Sequence, residues 1–244
     1  MRRQVRLGNS SLIMDSKRIT LFAGHYGSGK TNIAVNYALW LKENHDKVVI
    51  ADLDIVNPYF RSKDSEKQLE ARGIHLISSE FANSNVDVPA MPAEAYAIID
   101  DKSIRAVIDV GGDDRGALAM GRYAPAILSE NDSEMLLVIN RYRPLTRDCA
   151  STLAVMREIE TACQMKFTGI VNNSNLGDET TEETVISSAA YADEISAATG
   201  LPIRMTTIKE DLYDKLKEKV VNCTAIKLYV KQSWAKQEED LWQK

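Results

Sequence analysis

The pattern of this chain predicts a three-layer α/β/α fold, in which a mostly parallel central sheet is flanked by helices. Short β-branched apolar runs alternate with longer segments of helical period. Several of these runs are apolar at consecutive positions, as strands buried on both faces must be. The 244 residues, 44% of them hydrophobic, suffice for one large core, and no repeat, low-complexity tract or linker divides them.

In chain order, residues 1–16 open with Arg2, Arg3 and Arg6 but lack the apolar stretch of a secretory signal, so they are expected to be a disordered extension or a misassigned start. Residues 17–244 are expected to form a single domain. Strands are predicted at Ile19–Ala23, Lys47–Asp52, Ile74–Ser78, Arg105–Val110, Glu134–Asn140, Lys166–Val171 and Ile203–Thr207. Between them, the spacing of Ile33, Ala34, Tyr37, Ala38 and Leu41 predicts a helix over Lys30–Asn44. Further helices are expected over Pro92–Asp101 and Gly116–Glu130, from a Thr146 cap to about Cys163, and over Glu182–Thr199, which stops at Gly200. The tail from Cys223 to Lys244 carries Ile226, Tyr229, Val230, Trp234, Leu241 and Trp242 at roughly helical spacing and is expected to dock on the domain as a C-terminal helix. Its Glu238, Glu239 and Asp240 would oppose an anionic membrane.

A net charge of −5 and a pI of about 5.4 give no global basic field, so a nucleic-acid partner is not expected. Cys149, Cys163 and Cys223 are odd in number and widely spaced, which argues against a disulfide framework and for a reducing compartment. No run approaches the ~18 apolar residues of a membrane span, and the expected location is the cytoplasm.

The chemistry-bearing signal is Gly24-His25-Tyr26-Gly27-Ser28-Gly29-Lys30-Thr31, a GxxxxGK[ST] match lying between a predicted strand and a predicted helix. Glycines let successive backbone N–H groups curl inward around phosphate oxygens, and the helix N-terminus adds a favourable dipole. Lys30 is expected to bridge the β- and γ-phosphates of a nucleoside triphosphate, and the Thr31 hydroxyl to meet Mg²⁺. The plain alternative is a Gly-rich turn with a solvated lysine. Such a loop needs acids at the carboxyl ends of neighbouring strands. Asp52 and Asp54 close one apolar strand, and Asp109 closes another ahead of the Gly111-Gly112 hinge. Asp109 is read as an acid holding Mg²⁺ through water, and Asp54 as the residue that positions the attacking water. A turn-forming aspartate is the alternative for each.

On GHYGSGKT, ADLDIVNPYF and AVIDVGG, and on the order of elements to about residue 210, the chain resembles the MinD/ParA-type ATPases of the SIMIBI class of P-loop proteins. The resemblance implies ATP with Mg²⁺ as ligand, with the loop and Asn32 among its contacts. It also implies that Asp52 and Asp54 form a switch, with Asp52 near the metal. Asn172 would read the purine, the plain alternative being a turn residue that closes the strand, and Pro202 would flank the base. Many members carry a lysine after the first loop glycine, where this chain has His25, so His25 is either a weaker phosphate donor or a surface side chain. Arg115, Arg141, Arg143 and Arg147 stand where the family faces its partners, and are either activating cations or solvated turn residues.

The function expected from this reading is an ATPase that uses the γ-phosphate as a switch, pairing two protomers and acting on a protein partner not named by the sequence. A small-molecule kinase or ligase of the same class, and a non-hydrolysing ATP-bound scaffold, are the alternatives.

Overall fold

The computed structural model describes residues 16–53, 67, 69–78, 96–111 and 114–229. Its frame is an eight-stranded sheet in the order β3-β2-β4-β1-β5-β6-β7-β8. The strands are β1 (Ile19–Ala23), β2 (Val48–Asp52), β3 (His75–Ser78), β4 (Arg105–Asp109), β5 (Ser133–Ile139), β6 (Gly169–Asn172), β7 (Ile203–Lys209) and β8 (Cys223–Ile226). Every pairing is parallel, so the sheet is parallel throughout these strands rather than mostly so. All five residues of β1 are buried, as its place between β4 and β5 requires.

The helices are α1 (Lys30–Lys42), α2 (Tyr96–Asp100), α3 (Asp114–Gly121), α4 (Ala124–Ser129), α5 (Cys149–Cys163), α6 (Glu182–Ser187), α7 (Ala189–Thr199) and α8 (Glu210–Leu216), with further helical backbone at residues 67, 69 and 70 ahead of β3. Period-two alternation sends the strand side chains to two cores. On one face, Phe22, Ile50, Val107, Leu136, Val138, Val171 and Met205 pack against Ile33, Ala34, Tyr37 and Leu41 of α1. On the other, Leu21, Ile108, Leu137 and Ile170 meet Met120 of α3, Ile159 of α5 and Ile195 of α7. Because α1 carries the chain from β1 past β4 to β2, while β5 to β8 extend the other way, the topology reverses beside β1. A crevice at the carboxyl ends of the strands follows from that reversal.

Several expectations from the sequence are corrected. The predicted Gly116–Glu130 helix is two helices, broken at Arg122 and Tyr123 ahead of Pro125. Thr146 lies in a short 3₁₀ turn, and the cap of α5 is Asp148, whose carboxylate accepts from Ser151 N. The predicted Glu182–Thr199 helix divides at Ser188, with a capping box at Thr181 and Thr184, and it ends at Gly200 with φ 74°. Helix α8 has no counterpart in the sequence reading. Cys223–Ile226, read as the start of a helical tail, is instead an edge strand paired with Thr206–Lys209. The remainder of that tail from residue 230, the N-terminal residues 1–15 and residues 92–95 of the Pro92–Asp101 segment lie outside the described residues, while Tyr96–Asp100 is helical as expected. No described helix is long and apolar enough to cross a membrane.

Candidate functional site

The loop Gly24–Thr31 leaves the carboxyl end of β1 and enters α1 through Gly29, whose φ of 90° is left-handed. Two of its glycines are dictated by close approach. A Cβ on Gly24 would stand 2.3 Å from the Val138 carbonyl oxygen of β5, and one on Gly29 would stand 2.2 Å from Asn173 Nδ2. Three of the loop's carbonyls are held by side chains, one from within the loop and two from outside it. Lys30 Nζ donates to the His25 carbonyl at 3.3 Å, Arg143 Nε to that of Gly27 at 2.8 Å, and Asn173 Nδ2 to that of Ser28 at 2.6 Å. Lys30 and Ser28 are buried, and the Ser28 hydroxyl has no hydrogen-bond partner among the described residues.

Two acidic strand ends sit beside this loop. Asp52 of β2 and Asp109 of β4 are register partners, and Asp109 is also in register with Phe22 of β1. Partners in parallel register share a face, so both carboxylates lie on the α1 side of the sheet. There Thr31 Oγ1 donates to Asp109 Oδ2 at 2.6 Å, and Asp109 is 2% exposed. Among the described residues no cluster of three or more His, Cys, Asp or Glu side chains could hold an ion by itself. Mg²⁺ does not need one: it takes hard oxygen donors and is commonly held by one or two protein groups plus phosphate and water. The donor set of Thr31 and Asp109, with Asp52 alongside, fits that requirement.

The other predicted residues separate into those near the loop and those away from it. Asp54 and its segment lie outside the described residues. His25 is half-buried, with Nδ1 2.9 Å from the Tyr26 carbonyl, and Tyr26 is exposed. Asn32 presents its side-chain oxygen to Tyr229 N at 2.8 Å, so its amide serves the segment after β8. Its neighbour Asn36 bonds both the N–H and the carbonyl of Lys227, which ties residues 227–229 across α1.

The placement of Asn172 is corrected. Its amide donates to Ser188 Oγ at 3.0 Å and accepts from Ser174 N at 3.2 Å, fully buried on the face away from α1. Alternation along β6 explains why: Val171 faces α1, Asn172 faces away, and Asn173 returns to the loop side. Asn173 is thus the asparagine that faces the loop. It bonds Ser28 and also accepts from Thr207 Oγ1 at 2.7 Å, and the same parity count applied to the sequence would have found it. Pro202 is corrected as well. It precedes β7, and its carbonyl accepts from Ile170 N at the amino end of the sheet. Asn172 is level with Thr206, four residues further along, or ~13 Å at ~3.3 Å per residue. The carboxyl ends of β6, β7 and β8 instead line a small recess with Asn173, Asn175, Thr180, Thr207, Lys209 and Leu228.

Among the arginines, Arg141 Nη1 donates to the Ser187 carbonyl at 2.6 Å, and Arg147 lies exposed near Asp148. The side chain of Arg115 is outside the described residues. Arg143 alone of the four reaches the phosphate loop among the described residues.

No protein-family model matches the chain, and no curated protein does. Among solved structures, FtsY from Mycoplasma mycoides is similar at a TM-score of 0.49 and 20% identity, covering 79% of this chain and 60% of that one. FtsY from Thermotoga maritima is similar at 0.48 and 21%, covering 79% and 62%. Signal recognition particle 54 kDa protein from Aeropyrum pernix, solved in complex with GDP, is similar at 0.46 and 18%, covering 77% and 40%. This chain thus spans about 60% of the length of the first of them. The fold of the present chain is established by its own sheet order and register.

Proposed function

We propose that this protein binds ATP with magnesium in the loop Gly24–Thr31, hydrolyses it slowly, and uses the γ-phosphate to control pairing of two protomers. The observation that carries the reading is the 2.6 Å bond from Thr31 Oγ1 to Asp109 Oδ2, which joins the end of the phosphate loop to an acidic strand end. A hydroxyl and a carboxylate in contact, beside a buried lysine and a helix N-terminus, form a site for a phosphate chain and a hard cation. When bound, Mg²⁺ would neutralise developing charge on the phosphates.

In this reading the loop amides bind the phosphates, and Lys30 exchanges the His25 carbonyl for phosphate oxygen. Thr31 and Asp109 hold the metal with Asp52 beside them, and Asp54 orients water for attack on the γ-phosphate. Adenine is assigned on the resemblance to MinD/ParA-type ATPases. Pairing is supported by exposed apolar side chains beyond the carboxyl ends of the strands: Tyr26 after β1, Leu145 after β5 and Leu176 after β6.

The test is phosphate release from magnesium-ATP and magnesium-GTP by the purified chain, Lys30→Ala and Asp54→Ala, with light scattering in each nucleotide state. Release lost in both variants, with binding kept by Asp54→Ala, is the expected result. Absence of binding by the unaltered chain refutes the reading, and a strictly monomeric ATP complex refutes the pairing.

A further inference from the structure

We infer that Arg143 is a cation supplied by the same chain to the bound phosphates, an inference that rests on the nucleotide site proposed above. Its guanidinium lies against Gly27: Nε donates to the Gly27 carbonyl at 2.8 Å, and Nε and Cζ stand 3.3 and 3.5 Å from where a Cβ on Gly27 would be. That one hydrogen bond uses one of five donors. Among the described residues the Nη groups make no hydrogen bond and face no carboxylate in an ion pair. The other charged groups near this turn are committed elsewhere, Arg141 to Ser187 and Arg147 to Asp148.

A half-buried charge without a counter-ion is unfavourable unless an anion completes it. The adjacent group is a loop whose amides are arranged to receive one.

Arg143 is also pre-organised. It occupies extended backbone, φ −105° and ψ 137°, as the residue before Pro144 must. Its N–H donates to the Asn140 carbonyl at 3.1 Å, and its own carbonyl accepts from Thr146 N at 3.1 Å. Asn140 is fully buried, and its side-chain oxygen accepts from Tyr142 N. The turn after β5 therefore delivers the guanidinium at little further entropic cost. A unit charge within several ångströms of a phosphate, at an effective dielectric near 20, would change affinity by on the order of tenfold or more, and the effect grows with the charge of the ligand.

Three substitutions separate charge from loop support. Arg143→Lys keeps the charge, Arg143→Gln keeps a donor for the Gly27 carbonyl without the charge, and Arg143→Met keeps neither. Calorimetric titration of the full chain with ATP, ADP, GTP and GDP, magnesium present, is the measurement, with thermal melts to establish that each variant is folded. For the triphosphate that binds, Gln and Met are expected to weaken affinity about tenfold or more, the matching diphosphate to lose less, and Lys to recover most of the loss. Gln behaving as the unaltered chain, or triphosphate and diphosphate losing affinity equally, overturns the inference and leaves Arg143 as a prop for the loop. Should Gln and Met fail to fold, Lys decides: a tenfold loss there overturns it. An unaltered chain that binds none of the four removes the nucleotide site and this inference together.

Discussion

Replacing Gly29 by alanine perturbs the loop at the point where its geometry is most tightly determined. Gly29 has φ 90°, where an L-residue costs roughly 1–2 kcal/mol. The new Cβ would lie 2.2 Å from Asn173 Nδ2, so the Asn173 amide must leave. Leaving breaks its bonds to the Ser28 carbonyl and to Thr207 Oγ1, at 2.6 and 2.7 Å, in a site where Asn173 is 3% exposed. Each buried group left unpaired costs about 1–3 kcal/mol, so Gly29→Ala should cost roughly 3–8 kcal/mol in all. Asn173→Ala alone loses the same two bonds without the backbone strain, roughly 2–6 kcal/mol. The two substitutions therefore share one loss. In the double variant that loss is counted once, and the total should be close to that of Gly29→Ala alone. Urea unfolding of the four proteins measures the coupling, expected at about 2–6 kcal/mol. Additivity within about 0.5 kcal/mol would mean that Asn173 and Gly29 act independently, and the account of how the loop is held would be wrong.

Other outcomes follow from the same packing. Arg18 pairs through two bonds of 2.6 Å with Glu130 and caps the carbonyls of Ile98 and Ile104, so Arg18→Ala should cost about 3–5 kcal/mol in urea unfolding. Burial pushes the Glu130 carboxyl up, but hydrogen bonds from Lys102 and Arg18 outweigh it and hold it below the ordinary 4.5. A carboxylate depressed in this way stabilises the fold above about pH 4.5 and loses that contribution as pH falls further, so acid unfolding should shift to higher pH in Arg18→Ala. Burial pushes the Cys163 thiol up to about 12 and that of Cys223 up to about 11. Neither should react with a disulfide reagent at pH 8 until urea unfolds the chain, and rapid labelling of native protein would contradict the packing. Finally, Thr31→Val should bind nucleotide yet lose most of the gain in affinity that magnesium confers on the unaltered chain. A variant with undiminished magnesium dependence in calorimetry would remove Thr31 from the metal site.

What the sequence alone determined is whatever depends on short-range pattern. Consecutive apolar positions placed β1 at Ile19–Ala23, and glycine punctuation with GxxxxGK[ST] placed the loop between β1 and α1, because strand burial and glycine conformation are properties of a few adjacent residues. Gly200 as a helix stop was legible for the same reason. Tertiary structure decided what depends on which strand lies beside which. Asp52 and Asp109 are 57 positions apart, and only the placement of β2 against β4 makes them neighbours. Asn173 reaches Ser28, and Arg143 reaches Gly27, across more than 100 residues, because β5 and β6 follow β1 in the sheet. Pro202 was misplaced although its end was legible: it precedes β7, and in a parallel sheet a residue before a strand lies at the amino end, away from the loop. Cys223–Ile226 was misread because a four-residue edge strand takes its identity from its partner β7 rather than from its own period. Local pattern is encoded within one turn or one strand. Long-range neighbours are chosen by the burial of whole faces, and that choice exists only once the sheet has formed.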